Sequence, residues 1–231
     1  MQQLWKTNAT QRKFIVSYSG GKDSTLALYH AKKMGQCLGL IVMLEEQGQR
    51  SRSHAMPMDI IYAQAQALSL PILCTRSSWQ NYETKFLELL HQVKQQEVEV
   101  LVTGDLDMPE HGCWHDKITQ QAGLKLCMPL WERPHIEVIK EFIQLGFKTK
   151  IVTVNLSLGM TVKDLGQVLT FDYIQELQNR GIDPCGEGGE FHTTVLDGPI
   201  FKHPIPVRSG EILYHGDYAF LTLELEQDSN T

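Results

Sequence analysis

The sequence predicts an α/β protein, with a parallel sheet covered by helices on both faces and a smaller α+β domain after it. Short apolar runs alternate with segments whose apolar residues recur at helical spacing. The runs are continuously apolar, as is typical of strands buried on both faces of a parallel sheet. The alternation weakens after about Trp131. We therefore expect two domains, at 1–130 and 131–231.

The strands and helices of the first domain follow from these runs in order. Phe14 to Val16 is apolar and ends at a Ser-Gly-Gly segment, as a buried strand entering a turn would. Strands are predicted at 14–16, 38–44, 71–74 and 98–103, and helices at 22–34, 58–68 and 82–96. Ligands of parallel sheets bind beyond the carboxyl ends of the strands. The segments to consider are therefore 17–25, 44–54, 75–80 and 103–116.

The second domain does not continue the regular alternation of strands and helices. A helix is predicted at 135–146 and a strand at 148–154, and strand-like runs follow at 191–196 and 212–225. A glycine-rich stretch from residue 181 separates these parts. We expect this domain to contact the substrate.

Composition excludes several classes of protein. The chain has 231 residues, 42% of them hydrophobic, and a net charge of −6. This balance disfavours disorder and broad nucleic-acid binding. No apolar run approaches the roughly 18–20 residues of a membrane span, and the polar residues 1–12 lack the apolar stretch of a signal peptide. The five cysteines are scattered without a C-x-x-C pair, which favours reduced thiols and a cytoplasmic location.

The loop after the first strand has the composition of a phosphate-binding loop. It reads Ser19-Gly20-Gly21-Lys22-Asp23-Ser24-Thr25. Two glycines let the backbone approach an anion, and the helix that follows presents its unpaired N–H groups. A serine-capped turn without function would also fit a bare Ser-Gly-Gly. The P-loop G-x-x-x-x-G-K-[ST] and the dinucleotide loop G-x-G-x-x-G are both absent.

The string S-G-G-K-D-S after a buried strand resembles the pyrophosphate loop of the ATP pyrophosphatase (PP-loop) superfamily. That resemblance implies a Rossmann-like (HUP-type) sheet and cleavage of ATP between its α and β phosphates. It implies that residues Ser19, Gly20, Gly21, Lys22, Asp23 and Ser24 hold the phosphates. Asp23 would help to hold Mg2+, and Met43 at the end of the second strand would face adenine.

Further segments resemble one branch of this superfamily, the diphthine–ammonia ligase (diphthamide synthase) family. They are T-G-D at 103–105, P-L-W at 129–131, G-E-G-G-E-F-H-T at 186–193 and D-G-P-x-F at 197–201. The resemblance implies a cofactor site of ATP and Mg2+ that includes Gly104 and Asp105. It further implies that a carboxylate is adenylated and that ammonia then displaces AMP. The acceptor in the archetypal reaction is diphthine on a translation elongation factor, and a homo-oligomer is left open.

Glu187 and Glu190 stand in a glycine-rich turn, where two carboxylates could hold a cation, grip an amine or accept a proton from ammonium. A solvated acidic loop is the alternative. With the resemblance, we assign catalytic roles to Lys22, Glu187 and Glu190. Residues expected to contact the substrate are His54, His111, Gly186, Gly189, His192 and Thr193.

Histidines in the segment after the fourth strand allow a second interpretation. Asp107, His111, Cys113, His115 and Asp116 crowd what we predict to be one short loop. The two histidines are four residues apart, a spacing that suits a zinc or iron site, although no H-E-x-x-H is present. Substrate contact is the competing interpretation. His54 could equally be an exposed loop residue, and His192 could be a core residue.

Rival functions remain open on this sequence. Where the archaeal and eukaryotic branch carries arginines after T-G-D, this chain has Glu110-His111-Gly112-Cys113-Trp114. A different small carboxylate or cofactor precursor is therefore an alternative acceptor. A tRNA-modifying PP-loop enzyme would need a basic face and usually a cysteine pair, and the net charge disfavours it. A sensor that binds ATP without cleaving it is the third alternative.

Overall fold

The computed structural model describes residues 12–52 and 54–226. Of the polar N-terminal residues 1–12, only residue 12 is among the described residues. The chain divides into two compact units. Among the described residues, one unit contains 12–19, 23–52, 54–58 and 69–133, and the other contains 20–22, 59–68 and 134–226.

The first unit contains a five-stranded sheet in the order β3-β2-β1-β4-β5, and every pair of neighbours is parallel. The order reverses between β1 and β4, which is where ligands of such sheets bind. The strands are β1 (Arg12–Ser17), β2 (Gly35–Leu44), β3 (Ile72–Arg76), β4 (Val100–Val102) and β5 (Lys125–Cys127). The helices between them are α1 (Lys22–Lys32), α2 (Met58–Leu68), α3 (Tyr82–Lys94) and α4 (Pro109–Ala122).

Both faces of this sheet are buried. On one face, Ile15, Ile41 and Leu101 pack with α3 and α4 in one hydrophobic cluster. The alternate residues Phe14 and Val16 point the other way and are also 0% exposed. The continuously apolar strands are therefore buried on both faces of the sheet. The predicted fold class is confirmed.

The second unit contains a four-stranded antiparallel sheet in the order β7-β6-β9-β8. Its strands are β6 (Lys148–Asn155), β7 (Phe191–Asp197), β8 (Val207–His215) and β9 (Tyr218–Leu225). Helices α5 (His135–Gln144) and α6 (Phe171–Asn179) belong to it, together with residues 59–68 of α2. This is the α+β part that the sequence predicts.

Three elements differ from the sequence predictions. The predicted loop that carries His111, Cys113, His115 and Asp116 is the helix α4. Pro109 starts this helix and Gly123, at φ 66°, ends it in the left-handed conformation. The residues of α4 are mostly polar or small and show little apolar repeat at helical spacing. The sequence pattern therefore did not predict a helix here.

The other two differences lie in the second unit. The run at 212–225 is two strands, because Gly216 takes φ 57° at the first central position of a two-residue turn. Helix α6 has no counterpart among the predictions, although the Thr170 side chain caps it by accepting from Tyr173 N. Within the part of the chain that the structure describes, no helix is long and apolar enough to cross a membrane.

Candidate active site

The glycine loop joins β1 to α1. Ser19 N donates to Ser24 Oγ at 3.3 Å, and the two serine hydroxyls lie 3.1 Å apart. Gly20 takes φ 82°, a left-handed conformation that a side chain would strain. Lys22 opens the helix and is 5% exposed. Ser19 to Ser24 therefore form a tight turn between β1 and α1, and phosphate binding by this turn stays a prediction.

Residues Gly20 to Lys22 lie along strand β7 in the second unit. Val195 N donates to Gly20 O at 3.0 Å, and Lys22 N donates to Thr193 Oγ1 at 3.2 Å. Two predicted site residues, Lys22 and Thr193, are thus in direct contact although 171 positions separate them. The strand that carries Thr193 begins at Phe191, directly after Glu190.

The ammonium group of Lys22 affects its neighbours on β7. Its Nζ lies 5.7 Å from the centre of the Phe191 ring. The pKa of His192 is lowered to about 4, first because the imidazole loses solvent and second because Lys22 adds positive charge. His192 is therefore neutral at pH 7. A neutral imidazole can donate one hydrogen bond and accept another, but it does not add to the positive charge near Lys22.

Gly104 follows β4 and closely approaches the start of α1. A Cβ atom at Gly104 would lie 2.6 Å from Asp23 C and from Ser24 N. No side chain fits there, so the T-G-D segment needs a glycine at this point. The structure thus brings Gly104, Asp23 and Ser24 together at the point where the strand order reverses.

Asp105 connects the T-G-D segment to α4. Its Oδ1 lies 3.1 Å from His111 Nδ1, and its Oδ2 lies 3.1 Å from His115 Nε2. Burial by itself would raise the pKa of Asp105, but hydrogen bonds from both histidines outweigh burial and hold the pKa far below its usual range. Asp105 is therefore an ionised carboxylate that orients two imidazoles.

The metal interpretation of this region finds no support in the described residues. Nowhere in 12–52 and 54–226 do three His, Cys, Asp or Glu side chains come together so that they could hold a metal ion. Cys113 is exposed. His115 is 9% exposed, and its ring makes a T-shaped contact with Trp114 at a centroid distance of 5.0 Å. Its contact with Asp105 is that of a buried ion-pair or hydrogen-bond partner.

The glycine-rich loop before β7 is organised by Asp183, a residue that the sequence analysis did not single out. Asp183 Oδ2 accepts from Glu187 N at 3.0 Å and lies 2.8 Å from His135 Nδ1. Its Oδ1 accepts from Cys185 N at 3.1 Å. Cys185 is fully buried and bonds through Sγ to His135 O, so it is a structural residue of this turn. An aspartate four positions before Glu187, in a turn, was the available signal.

The loop then brings its second glutamate to the start of β7. Gly186 N donates to Asp183 O at 2.9 Å, and Gly189 N donates to Gly186 O at 3.2 Å. The backbone of Glu190 is held because its carbonyl accepts from Asn155 N at 2.8 Å. Its Oε2 is buried and has no hydrogen-bond partner among the described residues. A buried carboxylate oxygen without a donor suits an incoming amine, ammonium ion or cation.

Two predicted residues lie elsewhere in the first unit. Met43 is 7% exposed and packs in the hydrophobic cluster, while its carbonyl accepts from Arg52 N at 2.8 Å. His54 is half-buried in the connection between β2 and α2. Their contacts with adenine or substrate remain predictions.

Comparison with known proteins adds an independent line of information. A model of the diphthamide synthase N-terminal domain matches residues 12–126, and a model of the diphthamide synthase C-terminal domain matches residues 135–228. A diphthine–ammonia ligase of Schizosaccharomyces pombe is 27% identical over 231 aligned positions, which cover 89% of this chain and 38% of that protein. The human diphthine–ammonia ligase is 33% identical over 138 positions, covering 58% of this chain and 51% of that protein.

These matches span about half or less of each relative's length. Among solved structures, a predicted subunit of a tRNA methyltransferase from Methanocaldococcus jannaschii is 17% identical, with a TM-score of 0.44 over 80% of this chain and 97% of that one. That likeness is too slight to bear on function.

Proposed function

Because this chain belongs to the diphthamide synthase family, we propose that it is an ATP-dependent ligase that joins ammonia to a substrate carboxylate. One observation carries the proposal. The lysine of the glycine loop is held against β7, the strand that begins directly after Glu190 and carries His192 and Thr193. Lys22, the candidate phosphate ligand, is therefore hydrogen-bonded to the strand that directly follows Glu190, the candidate base for ammonium.

The proposed reaction has two steps. A carboxylate oxygen of the acceptor attacks the α-phosphorus of ATP, and the bond to the β-phosphate oxygen breaks to release pyrophosphate. Ammonia then attacks the acyl carbon, AMP leaves, and the nitrogen loses its extra proton. A carboxylate needs this activation because oxide is a poor leaving group, whereas AMP is a good one.

We assign the phosphates of ATP to Ser19, Gly20, Gly21, Lys22 and Ser24. Lys22 would stabilise the negative charge that develops on the leaving pyrophosphate. The donor set also fits Mg2+, since one carboxylate at Asp23 with phosphate oxygens and water is a coordination that this ion prefers. Bound magnesium would neutralise phosphate charge. Gly104 and Asp105 would complete this side, and Met43 remains the candidate for an adenine contact.

We assign the nitrogen and the acceptor to the G-E-G-G-E-F-H-T segment. Glu190 is the candidate base for ammonium, because its Oε2 is buried without a hydrogen-bond donor among the described residues. Glu187 would assist it. Gly186, Gly189, His192 and Thr193, with His54 and His111, are the candidate acceptor contacts.

The acceptor that we propose first is diphthine on an elongation factor, because the relatives are named for that substrate. One observation favours a second candidate, a small carboxylate. His111 is held by Asp105 at the position where the sequence departs from the family's arginines, and its side chain is 53% exposed. A single imidazole cannot make the bidentate contacts that arginines make, so a site with His111 at this position would recognise a different acceptor from one lined by arginines. We further propose a cytoplasmic location and domains divided near residue 130.

Nucleotide product analysis tests this function. The protein is incubated with Mg-ATP, ammonium and a panel of carboxylates that includes diphthine-bearing elongation factor. AMP and pyrophosphate that form with one acceptor only would support the ligase and name its substrate. ADP and phosphate would overturn it. Tight ATP binding with no cleavage across the panel would favour a nucleotide sensor.

A further inference from the structure

Gln64 is a polar residue on the buried face of α2. It is 0% exposed, as are its neighbours on the same face, Ile60 and Ile61. Burying an amide costs free energy unless the amide is hydrogen-bonded. An apolar side chain could fill this buried position without the cost of burying an amide. The presence of glutamine therefore needs a specific explanation.

The side-chain nitrogen of Gln64 has three acceptors around it. Nε2 donates to Val195 O at 2.8 Å and to Gly20 O at 2.9 Å, and Thr194 Oγ1 lies at 3.2 Å. Two of these acceptors are backbone carbonyls, which can only accept. The orientation of the amide is therefore determined, because its oxygen could not take the place of its nitrogen.

The two carbonyls belong to two different candidate segments. Gly20 is in the glycine loop, and Val195 is in β7, 175 positions later in the sequence. The same segments are joined directly, because Val195 N donates to Gly20 O at 3.0 Å and Lys22 N donates to Thr193 Oγ1 at 3.2 Å. Gln64 thus adds one hydrogen-bond donor to the Gly20 carbonyl and one to the Val195 carbonyl, at the junction between the glycine loop and β7.

We propose that Gln64 is a positioning residue that holds the glycine loop against strand β7. Its amide keeps Lys22 in a constant position relative to Glu190 at the head of that strand. The proposal rests on the proposed function only for its consequence in catalysis. The anchoring itself is a property of the folded chain.

The choice of glutamine follows from the chemistry of the junction. A neutral amide offers two hydrogens to two carbonyls without burying a charge, which neither glutamate nor methionine can do. Its Oε1 would lie 2.6 Å from a Cβ atom at Gly20 and has no hydrogen-bond partner within the described residues. The unpaired oxygen is a cost that the two carbonyl bonds offset. An oxygen this close leaves no room for a side chain at Gly20.

Hydrogen exchange tests the anchoring without any ligand. Gln64→Met keeps the size of the side chain and removes the donors, and Gln64→Glu keeps the shape but points a carboxylate oxygen at two carbonyls. Gln66→Met is the matched control, because Gln66 is exposed on the same helix. We expect the Val195 amide to exchange about tenfold faster or more in both Gln64 variants, and at the wild-type rate in the control. Unchanged Val195 exchange in a folded Gln64→Met protein would overturn the proposal.

Kinetics test the consequence. In Gln64→Met we expect kcat for amide formation to fall by roughly ten- to a hundredfold, with a much smaller rise in KM for ATP, since misplaced reacting groups lower kcat. Circular dichroism and thermal melting confirm that each variant is folded. Faster Val195 exchange with an unchanged kcat would refute the positioning role, and so would an equal loss of kcat in Gln66→Met.

The two proposals can fail separately. If the wild-type protein forms no AMP and pyrophosphate with any acceptor, the ligase function falls. The exchange rate of Val195 in the unliganded protein then still decides whether Gln64 anchors the loop. If the wild type is active and Val195 exchange is insensitive to Gln64, the function stands and the anchoring falls.

Discussion

Replacing Lys22 with methionine tests the glycine loop through two separate measurements. Lys22 is 5% exposed, and methionine keeps most of the side chain's length while removing its charge. The backbone bond from Lys22 N to Thr193 Oγ1, at 3.2 Å, does not need the side chain and should persist. Changes in the variant should therefore report the lost charge rather than a displaced loop.

The first measurement is the pKa of His192. It lies at about 4, mainly because the imidazole loses solvent and in part because of the charge on Lys22. In Lys22→Met we expect the pKa of His192 to rise, but to stay below the ordinary value of about 6.5, since the larger cause persists. A nuclear magnetic resonance titration of the imidazole measures this. Lys32→Met, at the exposed end of the same helix, should leave the pKa unchanged.

The second measurement is ATP affinity. A hydrogen bond to a charged group contributes about 1.5–3 kcal/mol. Losing it at a phosphate should raise the Kd for a non-hydrolysable ATP analogue by about 10- to 150-fold, as measured by calorimetry. Amide formation should be crippled as well. An unchanged Kd and unchanged turnover, together with a shifted His192 pKa, would show that Lys22 lies beside His192 but does not bind phosphate.

Four further substitutions test the other parts of the site. Gly104→Ala should destabilise the fold by roughly 1–3 kcal/mol in urea unfolding, because its Cβ would lie 2.6 Å from the Asp23 and Ser24 backbone; a wild-type midpoint would contradict this close approach. The lowered pKa of His192, about 4, means that the unfolded chain binds more protons than the native one between about pH 4 and 6.5. Stability is therefore fully present above about pH 6.5 and falls, by up to about 3 kcal/mol, as the pH drops toward 4. His192→Gln should flatten that acid limb, and an unchanged slope would refute the assignment. Glu190→Gln should leave ATP affinity nearly intact and lower amide formation by about 10²- to 10⁴-fold if Glu190 is the base; unchanged kinetics with the true acceptor would remove Glu190 from the site. Asp183→Asn should loosen the loop at Cys185 and Glu187 and raise exchange of the Glu187 amide, and an unaltered exchange rate would show that other contacts hold the loop.

The parallel sheet and the turn at the glycine loop could be predicted from local patterns of residues. Strands such as β1 are continuously apolar because both faces of the sheet are covered, and that pattern is visible in a few consecutive residues. The turn at Gly20 is equally local, since a left-handed residue between a strand and a helix calls for glycine. Gly104 was identified through the resemblance of T-G-D to a family motif, and its role in a cofactor site stays a prediction.

Helix α4 shows where local pattern was insufficient. Its residues carry no clear apolar repeat, and its limits are set by Pro109 and Gly123 rather than by periodicity. The sequence placed His111 in a loop for that reason. Only the helix explains why His111 and His115, one turn apart, both reach the carboxylate of Asp105.

The contacts between residues far apart in the sequence could be seen only in the folded chain. Gln64 bonds to Val195 across 131 positions, and Lys22 bonds to Thr193 across 171. No local propensity encodes such pairs, because they depend on how separate segments of the chain pack once each has formed. A buried glutamine on an apolar helix face was the one sequence signal that could have pointed to this junction. Its partners became known only when the backbone carbonyls that satisfy its amide were brought within 3 Å of it.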